Sequence, residues 1–137
     1  MGHWRNCNDV SFCLEDTTIA VEPPVNDLCS APTPIGCGDI VMGSTLTATD
    51  TAGRPGEDVW YSFDSSGEAA GSTITVSLCG SAFDTVLYIL DDCIPTTVIA
   101  LNDDNCFGQS SLNFTADGAS TYIIQVDGYL LGNSGAY

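Results

Sequence analysis

The chain has 137 residues, and 18 acidic side chains stand against two arginines and no lysine, a formal net charge of −16. Two cations cannot replace the counterion atmosphere of a polyphosphate, so nucleic acid is excluded as a partner, and the same repulsion excludes docking onto anionic membranes. The length fits one compact domain, and a hydrophobic share of 44% with scattered acids excludes a disordered chain.

The N-terminal stretch Met1–Asp16 carries Cys7 and Cys13 and shows no period. Met1–Asn6 is polar, and no apolar run is long enough for a signal-peptide core or a membrane span, so the chain reads as a mature or excised form. Thr17–Glu22 is a short strand pattern, stopped by Pro23-Pro24, a stiff spacer that offers no backbone donors. Residues 1–25 therefore form an extension that holds a potential strand away from a domain spanning residues 26–137.

Within that domain helix signals are nearly absent and period-two alternation recurs. In chain order the expected strands are Asp39–Leu46, Asp58–Phe63, Ser72–Leu78, Asp84–Leu90 and Thr97–Leu101, then one around Leu112 and Phe114 and one through Tyr122, Ile124 and Val126. Turns such as Gly53-Arg54-Pro55-Gly56, Ser65-Ser66-Gly67 and Ala116-Asp117-Gly118 separate them. Short strands at regular spacing without crossover helices describe an all-β fold. The expected architecture is an antiparallel β-sandwich, jelly-roll-like, of about seven to eight strands and stabilised by disulfides.

Seven cysteines without a CxxC pair, and a single histidine, lack the clustered ligands a zinc site needs. Disulfides in an oxidising compartment are the reading, and with lysine-free acidity they place the protein outside the cell. Cys29–Cys37 closes a short loop around Pro32 and Pro34. Cys79 and Cys106 fall at one end of the sandwich and are expected to pair, with Cys93 at the other end. Cys7–Cys13 can close locally and leave Cys93 over; alternatively an N-terminal cysteine bonds Cys93 of this or another subunit. Asn113-Phe114-Thr115 is a glycosylation sequon.

Catalysis finds little to work with. His3 lies in the irregular N-terminal segment, no GxSxG elbow is present, and the pairs Asp91-Asp92 and Asp103-Asp104 read as solvated turn formers. The chain is expected not to be an enzyme. Calcium is the stronger chemical candidate: Asn102, Asp103 and Asp104 crowd one loop with side-chain oxygens, and a hairpin of the strands on either side of Cys93 brings Asp84 to the same end. Asp58 heads another strand and completes the candidate set. Trp60, Tyr61 and Phe63 suggest an aromatic platform for glycans, but alternation puts Trp60 on the face opposite the other two, which favours core packing. Tyr129 and Tyr137, in the glycine-rich terminal stretch, are freer to bind a partner.

From Asn26 onward the sequence resembles the bacterial pre-peptidase C-terminal domain. The resemblance is carried by Asn26-Asp27-Leu28-Cys29, Gly43-Ser44-Thr45, Asp58-Val59-Trp60-Tyr61-Ser62-Phe63, Phe83-Asp84-Thr85-Val86-Leu87-Tyr88, Asn102-Asp103-Asp104, Gln109-Ser110-Ser111 and Tyr122 through Tyr129. It implies a β-sandwich serving as a non-catalytic accessory domain of exported proteins. It also implies one further strand after the glycine-rich turn, whereas here Gly132–Tyr137 supplies the turn alone. A sandwich short of a strand exposes unpaired backbone groups beside an open groove. Strand addition joins the two ends of the sequence: Thr17–Glu22 fills the groove, with Ile19 and Val21 entering the core and Ala20 facing out. Between copies this is a head-to-tail contact that propagates into a filament. The expected function is a self-assembling extracellular fibre subunit, and the competing one a calcium-stabilised accessory or binding module of a larger secreted protein.

Overall fold

The structure is a computed structural model, and it describes residues 21–50, 56–93 and 97–137. The described residues contain no α-helix. They form seven strands: β1 (Thr33–Ile35), β2 (Val59–Asp64), β3 (Thr73–Ser77), β4 (Thr85–Leu90), β5 (Val98–Asn102), β6 (Ser111–Thr115) and β7 (Thr121–Gly128). One sheet has the order β1-β2-β7-β4-β5, and the second holds β3 and β6 alone. Every pairing is antiparallel except β1 with β2, which is parallel.

Alternation decides which side chains meet between the sheets. Val59, Tyr61 and Phe63 of β2, Leu87 and Ile89 of β4, and Tyr122, Ile124 and Val126 of β7 face Ile74, Leu112 and Phe114 of the small sheet. Phe114 stands at the centre, edge-on to Phe63 and tilted against Tyr122 with ring centroids 4.9 Å apart. Strand β5 lies against β6, which closes the sandwich on one side. On the other side β3 has no neighbouring strand among the described residues.

The large sheet is covered on its outer face as well. Trp60, Leu90 and Ile123 form a second, smaller core beneath Cys29 and Cys93, and Trp60 N–H donates to the Asn26 carbonyl at 2.9 Å. That cover explains why β7 is buried at seven consecutive positions, Tyr122 to Gly128, instead of at alternate ones. On this face the buried Asp58 accepts from Trp60 Nε1 and from Gln125 Nε2, each at 3.1 Å.

Six expected strands appear with ends shifted by a residue or two. The seventh, Asp39–Leu46, does not form. Only Ser44 makes a bridge, to Ala136, while Ile40, Met42 and Leu46 are exposed. Its backbone is engaged instead by the C-terminal tail, where Gly43 exchanges hydrogen bonds with Tyr137 and Thr45 N–H donates to the Gly135 carbonyl. The strand beside β2 is instead β1, whose Pro34 is tolerated because it lies on an edge.

Candidate functional site

The β4–β5 hairpin pairs Leu87 with Asn102, so the residue before β4 and those after β5 meet at one end. Asp84, Asp103 and Asp104 present carboxylate oxygens that all lie within 4.8 Å of one another. Asp84 Oδ1 and Asp103 Oδ1 are buried and accept no hydrogen bond. Burial, followed by repulsion from Asp104 and Asp84, holds the Asp103 carboxyl above its ordinary value. Two of these three crowded carboxylates, Asp84 and Asp103, thus keep a buried oxygen without a partner.

Two members of the expected calcium set have side-chain oxygens engaged in other hydrogen bonds. Asn102 Oδ1 accepts from the N–H groups of Asn105 and Ser111, at 3.1 and 3.0 Å, and so braces its own loop. Asp58 sits on the outer face of the large sheet, held by Trp60 and Gln125. Local backbone donors and a buried indole compete for these oxygens, and residue spacing carries no sign of that competition.

The cysteines also divide differently. Cys79 bonds Cys106, linking the loop after β3 to the loop that carries Asp103 and Asp104. Cys29 bonds Cys93 and not Cys37, and Cys37 is a free, exposed thiol. Extended β1 carries Cys37 away from Cys29, while the end of β4 delivers Cys93 beneath the 24–31 segment. A hydrogen bond with Glu68, then desolvation and the charges of Glu68 and Asp39, push the Cys37 thiol up. Cys7 and Cys13 lie outside the described residues.

The aromatic residues build no platform for glycans. Tyr61 and Phe63 are in the main core and Trp60 lies under the 24–31 segment. Tyr137 is half-buried, edge-on to Tyr61 with their hydroxyls 2.6 Å apart, and Tyr129 is exposed. Asn113 of the sequon is exposed on β6, where its Oδ1 accepts from Thr75.

The second feature is the free edge of β3. Leu78 N–H donates to Ser110 and the Ser72 carbonyl accepts from Ala116. Antiparallel alternation then turns the backbone groups of Ile74 and Val76 toward β6 and those of Thr73, Thr75 and Ser77 outward. Beside that edge runs a groove of about 570 Å³, floored by Tyr61, Ile74, Val76, Ile124 and Val126 and rimmed by residues 36–42 and Tyr137. Tyr137 exchanges two backbone hydrogen bonds with Gly43, and Ala136 accepts from Ala82, so the tail flanks the groove's mouth. Of the expected donor strand, Thr17 and Ile19 lie outside the described residues. Val21 is 70% exposed and does not enter the core of its own subunit.

No family model matches the sequence, and no curated protein matches it. The structure is similar to the crystal structure of the pre-peptidase C-terminal domain of a collagenase from Bacillus anthracis. The TM-score is 0.56 at 19% identity, over 77% of this chain and 89% of that one. The chain has the fold of that domain.

Proposed function

We propose that the chain is a non-catalytic extracellular structural protein whose open β3 edge receives the Thr17–Glu22 strand of a neighbouring copy, joining copies head to tail into a filament. The β3 edge, unpaired among the described residues and beside an apolar groove, carries this reading. A strand laid there gains backbone partners at Thr73, Thr75 and Ser77, and alternate side chains, Ile19 and Val21, fill the groove. Burying each aliphatic side chain stabilises by about 1.5–3 kcal/mol, and each new hydrogen bond by about 1 kcal/mol. Sharing a fold with a domain of a collagenase supports a non-catalytic module, and two disulfides support an extracellular setting. Removal of Met1–Glu22 is expected to leave a folded monomer by light scattering and no filaments by electron microscopy. Ordinary filaments from the shortened chain would overturn strand donation.

A second reading rests on a different observation, the unsatisfied oxygens of Asp84 and Asp103: the module binds calcium there, with Asp84, Asp103 and Asp104 as ligands. Because the folded-state pKa of Asp103 is raised, its ionisation opposes folding at neutral pH, and that penalty is relieved as pH falls through the folded pKa. Asp103→Asn is therefore expected to keep or raise the melting temperature in EDTA and to abolish the rise produced by calcium. A calcium-induced rise that survives the substitution would place the ion elsewhere.

A further inference from the structure

The end of the sandwich that carries the acidic cluster also carries a backbone conformation that no contact among the described residues rewards. Phe107 has φ 60°, alone among the described non-glycine residues in the left-handed region, and Gly108 follows at φ 86°. Two successive left-handed residues make a tight turn whose first position ordinarily takes Asn, Asp or Gly. A bulky residue there is strained, and the Phe107 ring is fully exposed, so no packing within the chain offsets the strain. The turn is nonetheless rigidly anchored. Cys106 is disulfide-bonded and donates to the Gln109 carbonyl at 2.9 Å, and Thr85 N–H donates to the Gly108 carbonyl at 3.1 Å.

A second apolar tip flanks the same point. Tyr129 N–H donates to the Asp84 carbonyl at 3.0 Å, and the loop it opens exposes Leu130 at 56% and Leu131 at 79%. Asp84 thus lies between the two tips, with Asp103 and Asp104 beside it. Both arginines and the single histidine lie outside the described residues, so no described side chain offers these carboxylates a cation.

We infer that this end is a docking surface for a protein segment bearing lysine or arginine beside bulky apolar side chains, gripped by Phe107, Leu130 and Leu131 and neutralised by Asp84, Asp103 and Asp104. Charge complementarity selects that partner. A cationic segment is drawn to the carboxylates while its apolar face covers the tips. The inference does not rest on calcium binding, since a metal and a partner's cation would compete for the same oxygens.

The probe is a synthetic amphipathic helix of lysine and leucine, which cannot add to a sheet edge, compared with a lysine–serine peptide of equal charge. In EDTA and about 0.15 M salt, the full chain is expected to bind the leucine peptide about tenfold or more tightly than the serine peptide. Phe107→Asn combined with Leu131→Ser should narrow that preference to about twofold. Phe107→Asn alone should leave the unfolding midpoint unchanged or raise it, because Asn is at ease in the left-handed region. Absence of the preference in the unaltered chain, its survival in the double variant, or destabilisation by Phe107→Asn would each overturn the proposal.

Discussion

Replacing both Cys29 and Cys93 with alanine is expected to lower folding stability by about 4 kcal/mol, read as a fall in urea midpoint for the otherwise oxidised protein. The bond spans 64 residues, so its loss frees a long loop in the unfolded chain. Removing Cys79–Cys106, which spans 27 residues, should cost slightly less, about 3.5 kcal/mol. The first bond also has a local role that the second lacks. It clamps residues 24–31 over Trp60, Leu90 and Ile123, and release of that cover exposes an indole and two aliphatic side chains on a sheet face. Against a typical domain stability of about 5–15 kcal/mol, the loss is a large fraction. Tryptophan fluorescence gives an independent reading, since Trp60 should move toward a solvent-exposed spectrum at denaturant concentrations where the β2–β7–β4 ladder persists. A loss below about 1 kcal/mol would mean that the 24–31 segment stays docked through packing alone.

Most strands were legible because the small sheet and the inner face of the large one obey strict alternation. Thr73–Ser77 and Ser111–Thr115 each bury every second residue or nearly so. The hairpin that brings Asp84 to Asp103 and Asp104 follows from strand order alone, and so does the approach of Cys79 to Cys106. What escaped the sequence has long-range causes. β1 is three residues long with a proline at its centre, and its parallel pairing with β2 is a tertiary contact that no local propensity favours. Once β1 is missed, Cys29 and Cys37 look like neighbours. The oxygens of Asn102 and Asp58 already accept hydrogen bonds in the fold, and composition, which counts donors and acceptors, does not show which are taken. The conformation of Phe107 left no trace in the sequence, since a phenylalanine before a glycine does not announce a left-handed backbone.

Charge bears on assembly as well as on partners. Subunits of charge −16 repel one another, so the proposed filament would have to be held by inserted strands or covalent bonds more than by surface ion pairs. The assembled state is then expected to depend on a small number of backbone contacts at one edge. That dependence can be broken without unfolding the subunit.

Thr75→Pro is the substitution that does so, and it is expected to abolish filaments while leaving the monomer folded. Thr75 lies at the middle of β3, and its N–H points away from β6, so proline removes a donor that the described fold does not use. The monomer loses the exposed hydrogen bond from Thr75 Oγ1 to Asn113 and takes on strain at φ, together about 1–2 kcal/mol. An arriving strand loses its central backbone bond and meets the pyrrolidine ring at the edge. Val76→Pro is the matching control, because Val76 points its N–H toward β6 and its side chain toward the core. That change should unfold the small sheet and fail by circular dichroism before assembly is tested. Filaments from a folded Thr75→Pro chain would show that copies join elsewhere and that the β3 groove is not the acceptor. Monomers from Thr75→Pro whose circular dichroism matches the parent would tie assembly to the outward backbone groups of this one edge.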